Sequence, residues 1–298
     1  MNKAITTTGY GTLAVATFLT FTLCTTEAEE IMTQKTDEST IINYQHGQVE
    51  YHTTGEGRPI VLLHGAGASA SANWFATAPL LAETRRVINI NLVGAGRTTF
   101  EPEVLNVEDL VALILTVADT EGADQFDVVG YSTGAVAALA VAAHHPERVG
   151  QLVVMAPWAR SDARTQSFFR LWERIYTTDP HLFAHFNTHL ALSQSTQRVM
   201  DAEAFAGAIQ NFENTGFNDD LGKVIHLLQR IDLESELAQV TAQTLVIGFE
   251  DDRIVPAAYA KAVAERVSEA TYATLPAGHG GPWEVTEAMN EKIVDFLR

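Results

Sequence analysis

Cysteine is almost absent from this 298-residue chain; the single one, Cys24, lies in the N-terminal stretch. A chain cleaved after Ala28 would carry no thiol, which excludes disulfides, cysteine metal ligands and a cysteine nucleophile. Positive charge is scarce as well. Nineteen Lys and Arg against 37 Asp and Glu give a formal net charge of -18. That balance repels phosphate backbones and anionic lipid surfaces and argues against a nucleic-acid partner. The apolar run Gly11–Leu23, broken by threonines, is too short for a membrane-spanning helix. No internal repeat of fixed period is visible.

The same N-terminal run follows Lys3 and precedes Thr26-Glu27-Ala28, a passable cleavage site. Residues 1–28 therefore read as a signal peptide. The expectation is export, to the periplasm or beyond, with a cytoplasmic protein as the alternative. Cys24 is poorly flanked for acylation by Phe21 and Leu23.

The rest of the chain is long enough for one α/β domain with an insertion. Strand patterns fall at Ile41–Tyr44, Gln48–Thr53, Pro59–Leu63, Arg86–Asn91, Asp127–Gly130, Gln151–Pro157, Thr244–Gly248 and Ala270–Leu275. Helical patterns fall at Val107–Thr120, Gly134–His145, Ala257–Val267 and Glu284–Leu297. This alternation predicts an α/β fold, a mostly parallel sheet flanked by helices. Residues 158–240 break it, with helical patterns such as "SFFRLWERIY" and no strand. They are expected to form a helical cap over the strands' C-terminal ends, where open parallel sheets bind ligands. The core is then 29–157 and 241–298.

Ser132 lies in "GYSTG", between a strand pattern and a helix pattern. A sharp turn there would lift the hydroxyl clear of the backbone, with Gly130 and Gly134 removing side chains that would clash across it. A nucleophilic serine needs a base. Of ten histidines, His279 stands in a glycine-flanked loop directly after the last strand. His144 and His145 suit a helix C-terminus, and His64 suits a tight turn. A carboxylate should orient the base, and "GFEDDRIVP" offers Glu250, Asp251 and Asp252. His181, His185 and His189 recur every four residues, a spacing compatible with metal ligation. The pattern lacks the glutamate that zinc proteases place between their histidines, and no metal site is expected.

Four motifs in order, "LLHGAG", "GYSTG", "GFEDDRIVP" and "GHGGPWE", resemble those of the α/β-hydrolase superfamily, and the likeness runs from Val49 to Arg298. The resemblance implies Ser132 as nucleophile, His279 as base and Asp252 as the acid, with Asp251 the second choice and Asp162 a remote third. It implies an oxyanion hole from the backbone N–H groups of Ala66 and Thr133. One departure stands out: Asn91 replaces the aspartate that many members carry before "GAGRT". A serine at position 132 disfavours dehalogenases and epoxide hydrolases of this fold, which use aspartate there. What is left is acyl chemistry on a small-molecule substrate, needing no cofactor. The sequence looks most like the enol-lactonase and small-esterase branch, so a carboxylic ester or lactone hydrolase is expected. The alternatives are a C–C bond hydrolase of ring-fission products, which would want a cap arginine (Arg160, Arg164, Arg170 or Arg174) for the substrate carboxylate, and a ligand-binding receptor that retains the triad. Trp158 and Trp172, among the aromatic residues of the cap, are the candidates for its pocket.

Overall fold

The computed structural model describes residues 39–298. The expected signal peptide and Cys24 lie outside the described residues. Strands β1 (Thr40–Tyr44) and β2 (Gly47–Thr54) form a hairpin, and β3 (Arg58–Leu63) follows. Two short helices, α1 (Ala70–Asn73) and α2 (Thr77–Ala82), lead to β4 (Arg85–Ile90) and then to helix α3 (Val107–Thr120). Strand β5 (Phe126–Tyr131), helix α4 (Thr133–His144) and strand β6 (Val149–Met155) complete the first half. After a long helical segment come β7 (Gln243–Phe249), α10 (Ala257–Ala264), β8 (Ala270–Leu275), α11 (Gly281–Glu284) and α12 (Thr286–Leu297).

The strands make one sheet in the order β1-β2-β4-β3-β5-β6-β7-β8. The pairs β1/β2 and β2/β4 are antiparallel, and every pair from β4 to β8 is parallel. The central strands are apolar runs because helices cover both faces, and every residue of β5 is buried. Helix α4 has no polar stripe. From Thr133 to Ala143 it is buried all round, which is why it is built mostly of Ala and Val and carries no charge there. Asp127, the one charge on β5, is paired with Arg58 at 2.7 Å and Arg85 at 2.5 Å.

Between β6 and β7 the segment contains α5 (Ala163–Thr178), α6 (Pro180–Ala191), α7 (Gln194–Val199), α8 (Ala202–Glu213) and α9 (Leu221–Leu228). Asp162, Asp179, Ser193 and Asp201 cap the first four of these, each accepting backbone N–H bonds.

The expected elements are present with three differences. Helices α1 and α2 are too short to show a helical period, so the sequence pattern passes over them. Strand β6 stops at Met155 because Ala156 takes a φ of 47°, turning the chain before Pro157. The last helix starts at Thr286 rather than Glu284, because Glu284 closes the short helix α11 and Val285 takes a φ of −133°.

Candidate active site

Because β3 to β8 run parallel, the loops following β3, β5, β7 and β8 emerge at one edge of the sheet. The four sequence motifs are those loops. Their convergence follows from topology before any side chain is considered.

The turn after β5 is as tight as "GYSTG" predicts. A Cβ on Gly130 would lie 2.4 Å from the Gly134 carbonyl oxygen, and one on Gly134 would lie 2.1 Å from that of Leu63. Ser132 between them is held at φ 53°, ψ −116°, a conformation that costs energy for a residue with a side chain. Its backbone N–H donates to the Met155 carbonyl at 2.9 Å.

Three buried side chains meet there. Nε2 of His279 lies 3.0 Å from Ser132 Oγ, and Nδ1 lies 2.7 Å from Asp252 Oδ2. The second Asp252 oxygen accepts the N–H groups of Ile254 at 2.9 Å and Val255 at 2.8 Å. A carboxylate so placed accepts a hydrogen bond from Nδ1–H, which leaves Nε2 as the acceptor for the serine hydroxyl.

Asp251, adjacent in sequence, points elsewhere: its Oδ2 accepts the Gln194 N–H at 2.5 Å. Asp162 is the N-cap of α5, accepting from Thr165 N–H and from the Tyr259 hydroxyl. The Thr165 backbone hydrogen bond is the strongest influence holding its carboxyl below the usual aspartate range.

The loop after β3 packs directly on the serine. A Cβ on Gly65 would sit 3.2 Å from Ser132 Cβ, and Ala66 is the next residue. Thr133 is the first residue of α4. His64 braces this loop: Nδ1 bonds the Gly65 carbonyl at 2.7 Å and Nε2 accepts the Leu92 N–H at 2.9 Å. Those partners fix a neutral ring, and burial pushes its pKa down to about 4. Gly67 has a φ of +74°, and the Phe212 ring of α8 would be 3.1 Å from a Cβ there.

Tyr131 has a role that the sequence pattern does not mark. Its hydroxyl donates to the His279 carbonyl at 2.5 Å, and its ring lies 5.2 Å from the imidazole. Burial raises its pKa well above the ordinary tyrosine value. An aromatic residue directly before a candidate nucleophile was the only signal.

The other candidates make these contacts. Trp158 is fully buried and donates to Ser161 Oγ at 3.1 Å. Trp172 donates to Asn187 Oδ1 at 2.5 Å and packs among Phe168, Phe169 and Phe183. His181 pairs with Glu213, its Nε2 is 3.1 Å from that of His185, and the His189 ring lies 4.7 Å from Phe205. Among the described residues no three His, Cys, Asp or Glu side chains could hold a metal ion, and no helix is long and apolar enough to cross a membrane. Arg160 pairs with Asp232 and Glu234, Arg164 donates to the carbonyls of Arg253 and Ile254, and Arg170 donates to Gln166. Arg174 is exposed.

Asn91 keeps the neighbouring turn intact without an aspartate. Its amide donates to Glu50 Oε2 at 2.9 Å, and its Oδ1 accepts the Ala70 N–H at 2.8 Å. Glu50, from β2, also accepts the Arg97 backbone and side-chain N–H groups. Burial works against the Glu50 charge, but the Arg97 hydrogen bonds prevail and hold its pKa below the ordinary glutamate value.

Comparison with known proteins agrees with this architecture. Pyrrolizixenacetamide deacetylase of Xenorhabdus hominickii is 28% identical over 233 residues, covering 78% of this chain and 88% of the relative. RutD of Caulobacter segnis, named as a candidate carbamate hydrolase, is 28% identical over 247 residues, 81% and 92% of the two chains. The solved enol-lactonase of Burkholderia xenovorans LB400 matches with a TM-score of 0.76 at 21% identity, covering 87% of this chain and 99% of its own. The family described as the alpha/beta hydrolase fold matches residues 58–285, and the chain belongs to that family of hydrolases.

Proposed function

We propose that the protein is a serine hydrolase that cleaves carboxylic esters or lactones through an acyl-enzyme. The observation that carries this reading is the unbroken hydrogen-bonded chain Ser132–His279–Asp252 at the foot of a strained turn. Ser132 Oγ attacks the carbonyl as its proton passes to His279 Nε2, and Asp252 holds the imidazolium through Nδ1–H. The N–H groups of Ala66 and Thr133 receive the developing oxyanion. The imidazolium then protonates the leaving alcohol, and water attacks the acyl-enzyme by the same route in reverse.

In this reading residues 158–240 are a cap, with Trp158 and Trp172 belonging to its aromatic interior and Phe212 reaching the oxyanion loop. The cap arginines give no support to the C–C cleavage alternative, since three of the four already bond to groups of the protein. A second reading, amide or carbamate hydrolysis, is favoured by the names of the two relatives. A panel of p-nitrophenyl esters, lactones, anilides and carbamates separates the two. Turnover of esters or lactones at least tenfold above the amides supports the first, and the reverse order supports the second. Export through residues 1–28 is part of the proposal, tested by N-terminal sequencing of the mature protein.

A further inference from the structure

Glu284 ends α11, and the break at Val285 turns its side chain back toward the loop that carries His279. Its carboxylate accepts the Gly278 N–H at 2.9 Å, one residue before the base. It also accepts the Ser193 N–H at 3.0 Å and the hydroxyls of Ser193 and Thr196, each at 2.5 Å. The Gly278 and Ser193 N–H groups can only donate, so the site needs an acceptor oxygen at this point. A second tie runs alongside, from the Gly280 N–H to the Ala191 carbonyl at 2.8 Å. The approach is close enough that a Cβ on Gly278 would lie 2.3 Å from the Ala191 oxygen.

The same short segment is bonded to the acid loop. Asp251 accepts the Gln194 N–H, and Arg253 donates to the Leu192 carbonyl. Residues 191–196, at the junction of α6 and α7, therefore touch both the loop that carries Asp252 and the loop that carries His279. An imidazole that must meet Ser132 and Asp252 together tolerates little drift, because a misplacement of about 1 Å can cost on the order of a hundredfold in rate.

We propose that Glu284 is a positioning residue for His279. Its carboxylate ties the base-bearing loop to residues 193–196 and so holds the imidazole in register with Ser132 and Asp252. The proposal rests on the serine-hydrolase reading above. It differs from a simple anchor for the helical segment, which would affect substrate binding without affecting the chemical step.

The test uses the full chain and the variants Glu284→Ala, Glu284→Gln and Thr196→Val, with short p-nitrophenyl esters, a fluorophosphonate probe and thermal melting. Glu284→Ala removes the acceptor of the Gly278 N–H and is expected to lower kcat about tenfold to a hundredfold, with KM changed less than about threefold and Ser132 labelling slowed in proportion. Glu284→Gln keeps an acceptor for that N–H and should recover most of the loss. Thr196→Val removes one donor and leaves the Gly278 bond, so it should shift kcat the same way by about two- to fivefold; it carries the test if Glu284→Ala does not fold. A folded Glu284→Ala with wild-type kcat, or with raised KM and unchanged kcat, would overturn the proposal, as would wild-type kcat in Thr196→Val where Glu284→Ala does not fold. Wild-type protein that neither turns over esters nor labels at Ser132 would overturn the serine reading, and the proposal with it.

Discussion

Asn91 and Glu50 share one hydrogen bond of 2.9 Å, from the asparagine amide to the glutamate Oε2. The residue that departs from the family pattern is neutral because a carboxylate from the neighbouring strand already serves the turn. Glu50 binds the Arg97 N–H that the turn presents.

This arrangement predicts that restoring the common aspartate does harm. Asn91→Asp would set two carboxylates against each other in a buried place, with an expected loss of about 1–3 kcal/mol. Glu50→Gln in the same chain should recover part of it, as coupled neighbours do. Urea denaturation of the two single variants and the double variant checks this. Additive losses would show that the two side chains do not interact.

The two adjacent aspartates should behave differently. Asp252→Asn leaves the geometry but not the charge that orients His279, and kcat should fall by about 10³–10⁴, as in other triads. Asp251→Asn can still accept the Gln194 N–H and should stay within about tenfold of wild type. Steady-state kinetics on one ester settles the pair.

Gly134→Ala should be far more damaging than its size suggests. The added Cβ would sit 2.1 Å from the Leu63 carbonyl oxygen and 2.7 Å from that of His64, so either β3 or α4 must move. The expected cost is about 3 kcal/mol or more, with loss of activity. Gly122→Ala, where a Cβ meets nothing within 4 Å but φ is +63°, provides the control for backbone strain alone, at about 1 kcal/mol.

His64 should make the fold acid-sensitive. Its pKa falls from 6.5 to about 4 on folding, because of burial. The unfolded chain therefore takes up the proton first as pH drops. The stability contribution is complete above pH 6.5 and declines down to about pH 4, by about 3 kcal/mol in all. Denaturation midpoints from pH 7.5 to 4 should fall less steeply in His64→Leu than in wild type, whatever the variant's absolute stability. Equal slopes would contradict the assignment.

Much of this was legible in the sequence because the chemistry sits in local motifs. Ser132 and His279 are marked by glycines whose necessity the packing explains, and the parallel sheet brings their loops together. Asp252 could not be separated from Asp251 by pattern alone, since the choice depends on which carboxylate the loop turns inward. Tyr131, Glu50 and Glu284 act through partners 148, 41 and 91 residues away, a range that periodicity and spacing do not reach.

The central claim is that Ser132 is the acylated nucleophile, and its most direct measurement is active-site labelling with mass analysis. Wild-type protein treated with a fluorophosphonate should gain one adduct, located on the peptide containing Ser132. Ser132→Ala should gain none and lose several orders of magnitude in ester turnover. An adduct elsewhere, or a Ser132→Ala variant with near-wild-type turnover, would contradict the account.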